Sequence, residues 1–86
     1  MKGIVFTQFL DFVEARFGPE MADSILTGAS LPSGGIYTAV GTYDHHELVT
    51  LLVGLNQATG VAIPELVREY GRALFGVLAR GYPQLL

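Results

Sequence analysis

The sequence contains no cysteine and few charged residues. Without cysteine, the 86-residue chain can form no disulfide, no thiolate metal site and no cysteine nucleophile. Charged residues make up 15% of the chain, against about 25% in an average soluble domain, whereas hydrophobic residues make up 50%. The length allows one domain, residues 1–86. The low charge therefore predicts an apolar face that contacts a second subdomain, a cofactor, a second copy or a membrane surface.

Basic residues and long apolar runs are also scarce. The net charge of −3 argues against binding to nucleic acid, which needs clustered lysine and arginine. No segment reaches 18 uninterrupted apolar residues, so we expect no membrane-spanning helix. Asp11 and Glu14 interrupt the apolar character of the N-terminus early, which differs from a signal peptide. We therefore expect a cytoplasmic protein.

Enzyme motifs are absent as well. The sequence has no G-x-S-x-G, no P-loop and no G-x-G-x-x-G pattern. The three serines, Ser24, Ser30 and Ser33, fall in the second predicted helix and the loop after it, and the two histidines are adjacent, so few groups could converge on one catalytic site. We expect that the chain is not an enzyme.

Apolar residues at spacings of three and four predict an all-α fold, a small bundle of about four helices. Glycines follow the first three segments, and prolines begin the second and fourth. The predicted helices cover residues 3–17, 19–27, 45–58 and 64–80.

An ordered central loop, residues 31–44, separates the two helical halves. Pro32 and the pair Gly34 and Gly35 cannot continue a helix. The residues that follow have strand propensity but no obvious strand to pair with, so we expect a partly buried loop and no sheet. Asp44 and Glu47 have the spacing of a capping box and predict the start of the third helix.

The two histidines, His45 and His46, are adjacent. Neighbouring side chains on a helix point about 100° apart, so the pair is not expected to chelate one metal ion. We expect two exposed residues of the first helical turn and no metal site. The alternative is that either one provides a single axial ligand to a metal or heme.

The apolar arc on the first and fourth helices is wider than a small four-helix core needs. It includes Val5, Phe9 and Phe12 on the first helix and Leu74 and Leu78 on the fourth. Any one of these residues is ordinary core. Together they favour an apolar ligand or a missing subdomain on this face.

The sequence resembles a known family. The resemblance spans the whole chain and rests on segments in the same order as in the N-terminal part of the heme–nitric-oxide-binding domain, called H-NOX or HNOB. These segments are Met1-Lys2-Gly3-Ile4-Val5, Phe17-Gly18, Tyr37-Thr38, Val40-Gly41, Tyr43-Asp44, Thr59-Gly60, Pro64-Glu65-Leu66, Gly71 and Tyr82-Pro83.

The resemblance implies a domain that binds heme b and senses nitric oxide or oxygen. In bacterial relatives the output goes to a histidine kinase or to a diguanylate cyclase/phosphodiesterase. By position, the resemblance assigns the distal wall of the heme pocket to Val5, Phe9, Leu74 and Leu78. All four are apolar, and without a Tyr, Asn or Gln donor this wall would favour nitric oxide over stabilised oxygen.

The chain departs from the family pattern in one respect. The family's proximal histidine and its Tyr-x-Ser-x-Arg motif for the heme propionates lie beyond Leu86, and neither His45 nor His46 matches the proximal position. The resemblance therefore implies only the distal part of a heme pocket. The alternative is a heme-free helical interaction module that uses the same apolar face to dock a partner helix or to dimerise, with the first and fourth helices as the expected contact.

Overall fold

Four α-helices account for most of the described chain. The computed structural model describes residues 1–29, 31 and 33–81, with only the backbone at Leu78. The helices are α1 (Gly3–Phe17), α2 (Pro19–Gly28), α3 (His45–Thr59) and α4 (Ile63–Gly81). The predicted all-α bundle is confirmed, and each helix boundary lies within one residue of its predicted position.

The helix ends follow from local sequence signals. Pro19 occupies the first turn of α2, where its missing N–H needs no partner. Gly60 ends α3 in the left-handed conformation, with φ of 76°, and donates its N–H to the carbonyl of Asn56 at 2.8 Å. Asp44 caps the start of α3, because its Oδ1 accepts the N–H of His46 at 2.9 Å.

The four helices enclose an aromatic-rich core. α1 packs against both α2 and α4, and α3 packs against the same two helices. Each helix thus has two neighbours, and the buried faces meet in the middle. The buried hydrophobic residues are Phe6, Phe9, Phe12, Val13, Ala22, Ile25, Leu51, Leu55, Leu66 and Tyr70.

The central loop is ordered and partly buried, as predicted, and it pairs with the N-terminus. Gly3 donates its N–H to the carbonyl of Gly41 at 2.8 Å, and Tyr43 donates its N–H to the carbonyl of Met1 at 2.9 Å. These bonds surround one isolated antiparallel bridge between Lys2 and Thr42. The partner that sequence reasoning did not find is therefore the short segment before α1.

Aromatic rings fasten the same loop to α1. Tyr37 stacks on Phe6 with ring centroids 4.6 Å apart, and Tyr43 meets Phe6 edge-on at 5.5 Å. Phe6 is fully buried, so the two tyrosines cover its ring from the loop side. The predicted breaker Pro32 and the nearby Ser30 lie outside the described residues.

Within residues 1–29, 31 and 33–81, no single helix is long and apolar enough to cross a membrane. Only α3 and α4 together reach that length and composition, and the break between them bends the pair by 115°.

Candidate functional site

The candidate site is the face where α1 and α4 pack together. Val5 on α1 and Leu74 on α4 are half-buried and pack against the core. Phe9 is fully buried, one turn beyond Val5. The side chain of Leu78 lies outside the described residues. The structure thus brings the two helices that carry the four expected wall residues into contact.

Tyr70 joins the two helices of this face. Its hydroxyl donates a hydrogen bond to the backbone carbonyl of Val5. Its ring meets Phe9 edge-on at 5.2 Å and lies 5.7 Å from the ring of Phe12. Burial raises the pKa of the Tyr70 hydroxyl, which therefore stays protonated as a donor. A tyrosine among aliphatic residues signals a hydroxyl in need of a partner, but the sequence pattern alone does not identify the carbonyl of Val5 as that partner.

An apolar stripe along α4 remains uncovered. Val67 is 49% exposed and Phe75 is 61% exposed. Val67 lies two turns before the half-buried Leu74, and Phe75 directly follows Leu74 in the sequence. Exposed apolar side chains of this kind are typical of a surface that contacts an apolar ligand or a further segment of protein. Val5, Leu74 and their apolar neighbours offer no nitrogen or oxygen ligand for iron and no donor for a bound gas.

A family model for haem–NO binding matches residues 2–86 of this chain. The chain belongs to the HNOB, or H-NOX, family. The resemblance seen in the sequence is thereby confirmed.

Solved H-NOX structures agree with the family match. The chain is 47% identical, with a TM-score of 0.94, to the Fe(II) unliganded H-NOX protein from K. algicida, and 48% identical, with the same TM-score, to a mutant of that protein. It is 45% identical, with a TM-score of 0.83, to the IWP-051-bound H-NOX from Shewanella woodyi in the Fe(II)CO state. A comparison with curated proteins finds no match.

The match covers only part of those H-NOX proteins. In each alignment 99% of this chain is covered, against 46% of the K. algicida chains and 45% of the S. woodyi chain. The four helices therefore span about half the length of the H-NOX structures that they match.

A buried carboxylate holds the central loop of this H-NOX chain against α3. Glu47 is 5% exposed and accepts hydrogen bonds from the Ser33 hydroxyl at 2.6 Å and the Tyr37 hydroxyl at 2.8 Å. The capping-box prediction is therefore half correct. Asp44 caps α3, but the carboxylate of Glu47 contacts the loop.

The hydroxyl of Tyr37 resists ionisation. Burial, reinforced by the neighbouring negative charge of Glu47, raises the pKa of Tyr37 to about 12. A phenolate at this position would repel the carboxylate of Glu47, which now accepts a hydrogen bond from the hydroxyl. The contact between loop and helix therefore depends on a neutral Tyr37.

We expect the H-NOX chain to lose stability at high pH. Tyr37 and Tyr70 have raised pKa values in the folded state, so folding favours their protonated forms. Their stabilising effect is complete below pH ~10, the ordinary pKa of tyrosine. It is lost as the pH rises through about 12 for Tyr37 and beyond that for Tyr70. The loss is at most about 1.4 kcal/mol per pH unit for each tyrosine, and smaller for the partly exposed Tyr37.

Urea unfolding at several values between pH 8 and 12 measures this effect. Tyr37→Phe removes one titrating hydroxyl and is expected to flatten the pH dependence, although it lowers stability at every pH by removing the bond to Glu47. An equally steep loss in Tyr37→Phe and wild type would contradict the assignment to Tyr37.

The two histidines lie side by side at the start of α3. Their ring centroids are 4.1 Å apart, which differs from the divergence expected for adjacent helical residues. Asp44 Oδ1 lies 2.9 Å from His46 Nδ1 and 3.6 Å from His45 Nδ1. The hydrogen bond from the backbone N–H of His46 lowers the pKa of the Asp44 carboxyl, and the hydrogen bond from the His46 ring lowers it further. All three side chains are exposed, as predicted for the histidines.

A groove that sequence reasoning did not predict lies between α2 and α3. Its volume is about 410 Å³, and its lining includes Ile25, Val49 and Val53 together with the polar Ser24 and Gln57. Val49 and Val53 are exposed. No sequence pattern showed that α2 would leave these two valines open.

Proposed function

We propose that this chain forms the distal wall of the heme pocket in a bacterial H-NOX gas sensor, with Val5, Phe9, Leu74 and Leu78 as wall residues. The proposal rests mainly on the exposed apolar side chains of α4, Val67 and Phe75, on the same helix as the half-buried Leu74. The chain spans 46% of the K. algicida H-NOX chain, and we expect the rest of such a domain to cover these side chains.

Each wall residue has a distinct part in this proposal. Val5 and Leu74, which are half-buried, would contact the porphyrin and exclude water from the gas site. Phe9 is fully buried against Tyr70, so it supports Val5 and Leu74 from beneath. Leu78 enters by position alone, two turns of α4 from Tyr70.

Heme b, when bound, supplies the iron that takes up the diatomic gas. The described wall offers no iron ligand, and we expect the axial histidine and the propionate partners from the part of the H-NOX domain that this chain does not span. Because Val5, Phe9 and Leu74 have only hydrocarbon side chains, the wall would not donate a hydrogen bond to bound oxygen. We therefore infer a preference for nitric oxide.

The sensor would act in the cytoplasm without catalysing a reaction itself. By family resemblance, its output goes to a histidine kinase or to a diguanylate cyclase/phosphodiesterase. This assignment follows the H-NOX family membership of residues 2–86.

A chimera tests the heme-wall proposal. The chain replaces the matching part of the K. algicida H-NOX protein, and the product is titrated with heme. We expect a saturating Soret band that shifts with nitric oxide, and no stable oxygen complex in air. A chimera that folds by circular dichroism but takes up no heme would contradict the proposal.

Two matched variants of the chimera locate the wall. Leu74→Asn places an amide donor in the pocket and is expected to stabilise the oxygen complex. Ala73→Asn introduces the same amide at an exposed neighbouring position of α4 and is expected to leave gas binding unchanged. An equal effect of the two variants would exclude Leu74 from the wall.

A second candidate function is a heme-free interaction module. The exposure of Val67 and Phe75 also suits a helix from a second copy of the chain. Sedimentation of the 86-residue chain separates the two candidates. A concentration-dependent dimer, together with a folded chimera that binds no heme, favours the module, whereas a monomer contradicts it.

A further inference from the structure

We propose that Asp44, His45 and His46 form a surface site for a divalent transition metal ion such as Zn²⁺. Their candidate ligand atoms, one carboxylate oxygen and one nitrogen from each imidazole, all lie within 4.8 Å of one another. The site is separate from the proposed heme wall and does not depend on it.

The backbone at the start of α3 explains why neighbours in sequence converge. Asp44 precedes the helix and has an extended backbone, with φ of −67° and ψ of 130°. Its side chain turns back over the first helical turn and accepts the N–H of His46. The carboxylate therefore lies beside both imidazoles, which helical spacing alone does not provide.

The distances suit a small ion. In a tetrahedral zinc site with bonds of about 2.0–2.2 Å, neighbouring ligand atoms are about 3.4 Å apart. Asp44 Oδ1 lies 2.9 Å from His46 Nδ1 and 3.6 Å from His45 Nδ1, on either side of that value. The shorter distance is a hydrogen bond, which a metal ion would replace. Small rotations of exposed side chains would bring all three atoms into place.

The ligand types select the class of metal. Imidazole nitrogen suits zinc, copper and nickel, whereas magnesium and calcium prefer sites made of oxygen alone. With three protein ligands, the ion would keep at least one position for water or another ligand. The positive end of α3 and the exposure of the three side chains weaken binding, so we expect micromolar rather than nanomolar affinity.

Calorimetric titration of the 86-residue chain with ZnCl₂ tests the site, with MgCl₂ as the ion control. We expect one zinc per chain and no detectable magnesium binding. His45→Ala and His46→Ala should each weaken zinc binding about tenfold or more, since each removes a ligand. Zinc should also shift the ring resonances of both histidines in NMR spectra.

Two charge-matched variants complete the test. Asp44→Asn keeps a good helix cap but removes the anionic ligand, so we expect weaker zinc binding by a folded chain. Asp23→Asn removes one charge from the exposed surface of α2 and should leave the affinity unchanged. The site is excluded if the double variant of His45 and His46 binds zinc as tightly as wild type, or if Asp44→Asn and Asp23→Asn behave alike.

Discussion

Replacing Gly3 with alanine is expected to lower the free energy of unfolding by about 3 kcal/mol or more. A Cβ atom on residue 3 would lie 1.7 Å from the carbonyl oxygen of Thr38 and 2.9 Å from the ring of Tyr43. The first of these atoms belongs to the backbone and cannot rotate away. Gly3 also donates its N–H to Gly41 at 2.8 Å, so relief of the clash would break the pairing of the loop with the N-terminus.

Chemical denaturation of Gly3→Ala beside Gly71→Ala measures the effect. Gly71 lies inside α4, and its Cβ would meet no atom within 4 Å. Alanine there is expected to stabilise the chain by about 0.5–1 kcal/mol, because it reduces the entropy of the unfolded state. If Gly3→Ala also left stability unchanged or higher, the close packing of the central loop on α1 would be wrong.

Much of the helical architecture was predictable because its signals are local. The repeat of Phe6, Phe9 and Val13 defines a buried face of α1 without reference to other elements. Gly60 ends α3, and Pro19 starts α2, through backbone preferences that act within one turn. Because these signals need no partner from elsewhere in the chain, the boundaries predicted from them agree with the structure.

The central loop was less predictable because its partners are distant in sequence. Glu47 has the spacing of a capping residue, yet its carboxylate contacts Tyr37, ten positions earlier. The tertiary contact prevails because the carboxylate of Glu47 is buried away from water and needs hydrogen-bond donors from the protein, which Ser33 and Tyr37 provide. The pairing of Lys2 with Thr42 likewise depends on how α1 and the loop meet.

The candidate site, like the fold, was predictable only in part. The family resemblance assigned Val5 and Leu74 to one wall, and the structure brings their helices together. The burial of Phe9 follows from the repeat along α1, but the bond from Tyr70 to Val5 was not predicted, since it depends on the packing of α4 on α1. The side-by-side histidines were missed because helical geometry was assumed for every residue of the turn.

Replacing Phe6 with alanine is expected to lower the free energy of unfolding by about 3–5 kcal/mol. Phe6 is fully buried, and its ring is the surface on which Tyr37 and Tyr43 rest, at 4.6 Å and 5.5 Å. Removal of the ring leaves a cavity between α1 and the central loop, and we expect that neither of them can move far enough to fill it. The loss would be a large part of the stability of a chain of this size.

The amide protons of Gly3 and Tyr43 report where the damage occurs. Both are bonded between the loop and the N-terminus, so Phe6→Ala should speed their hydrogen exchange relative to amides of α3. Phe17→Ala is the control, because Phe17 is only partly buried at the far end of α1. It should cost less stability and leave those two amides protected. Equal exchange of these amides in both variants would contradict the prediction. It would mean that Phe6 stabilises the core in general and does not specifically hold the central loop and the start of α1 near Val5 in place.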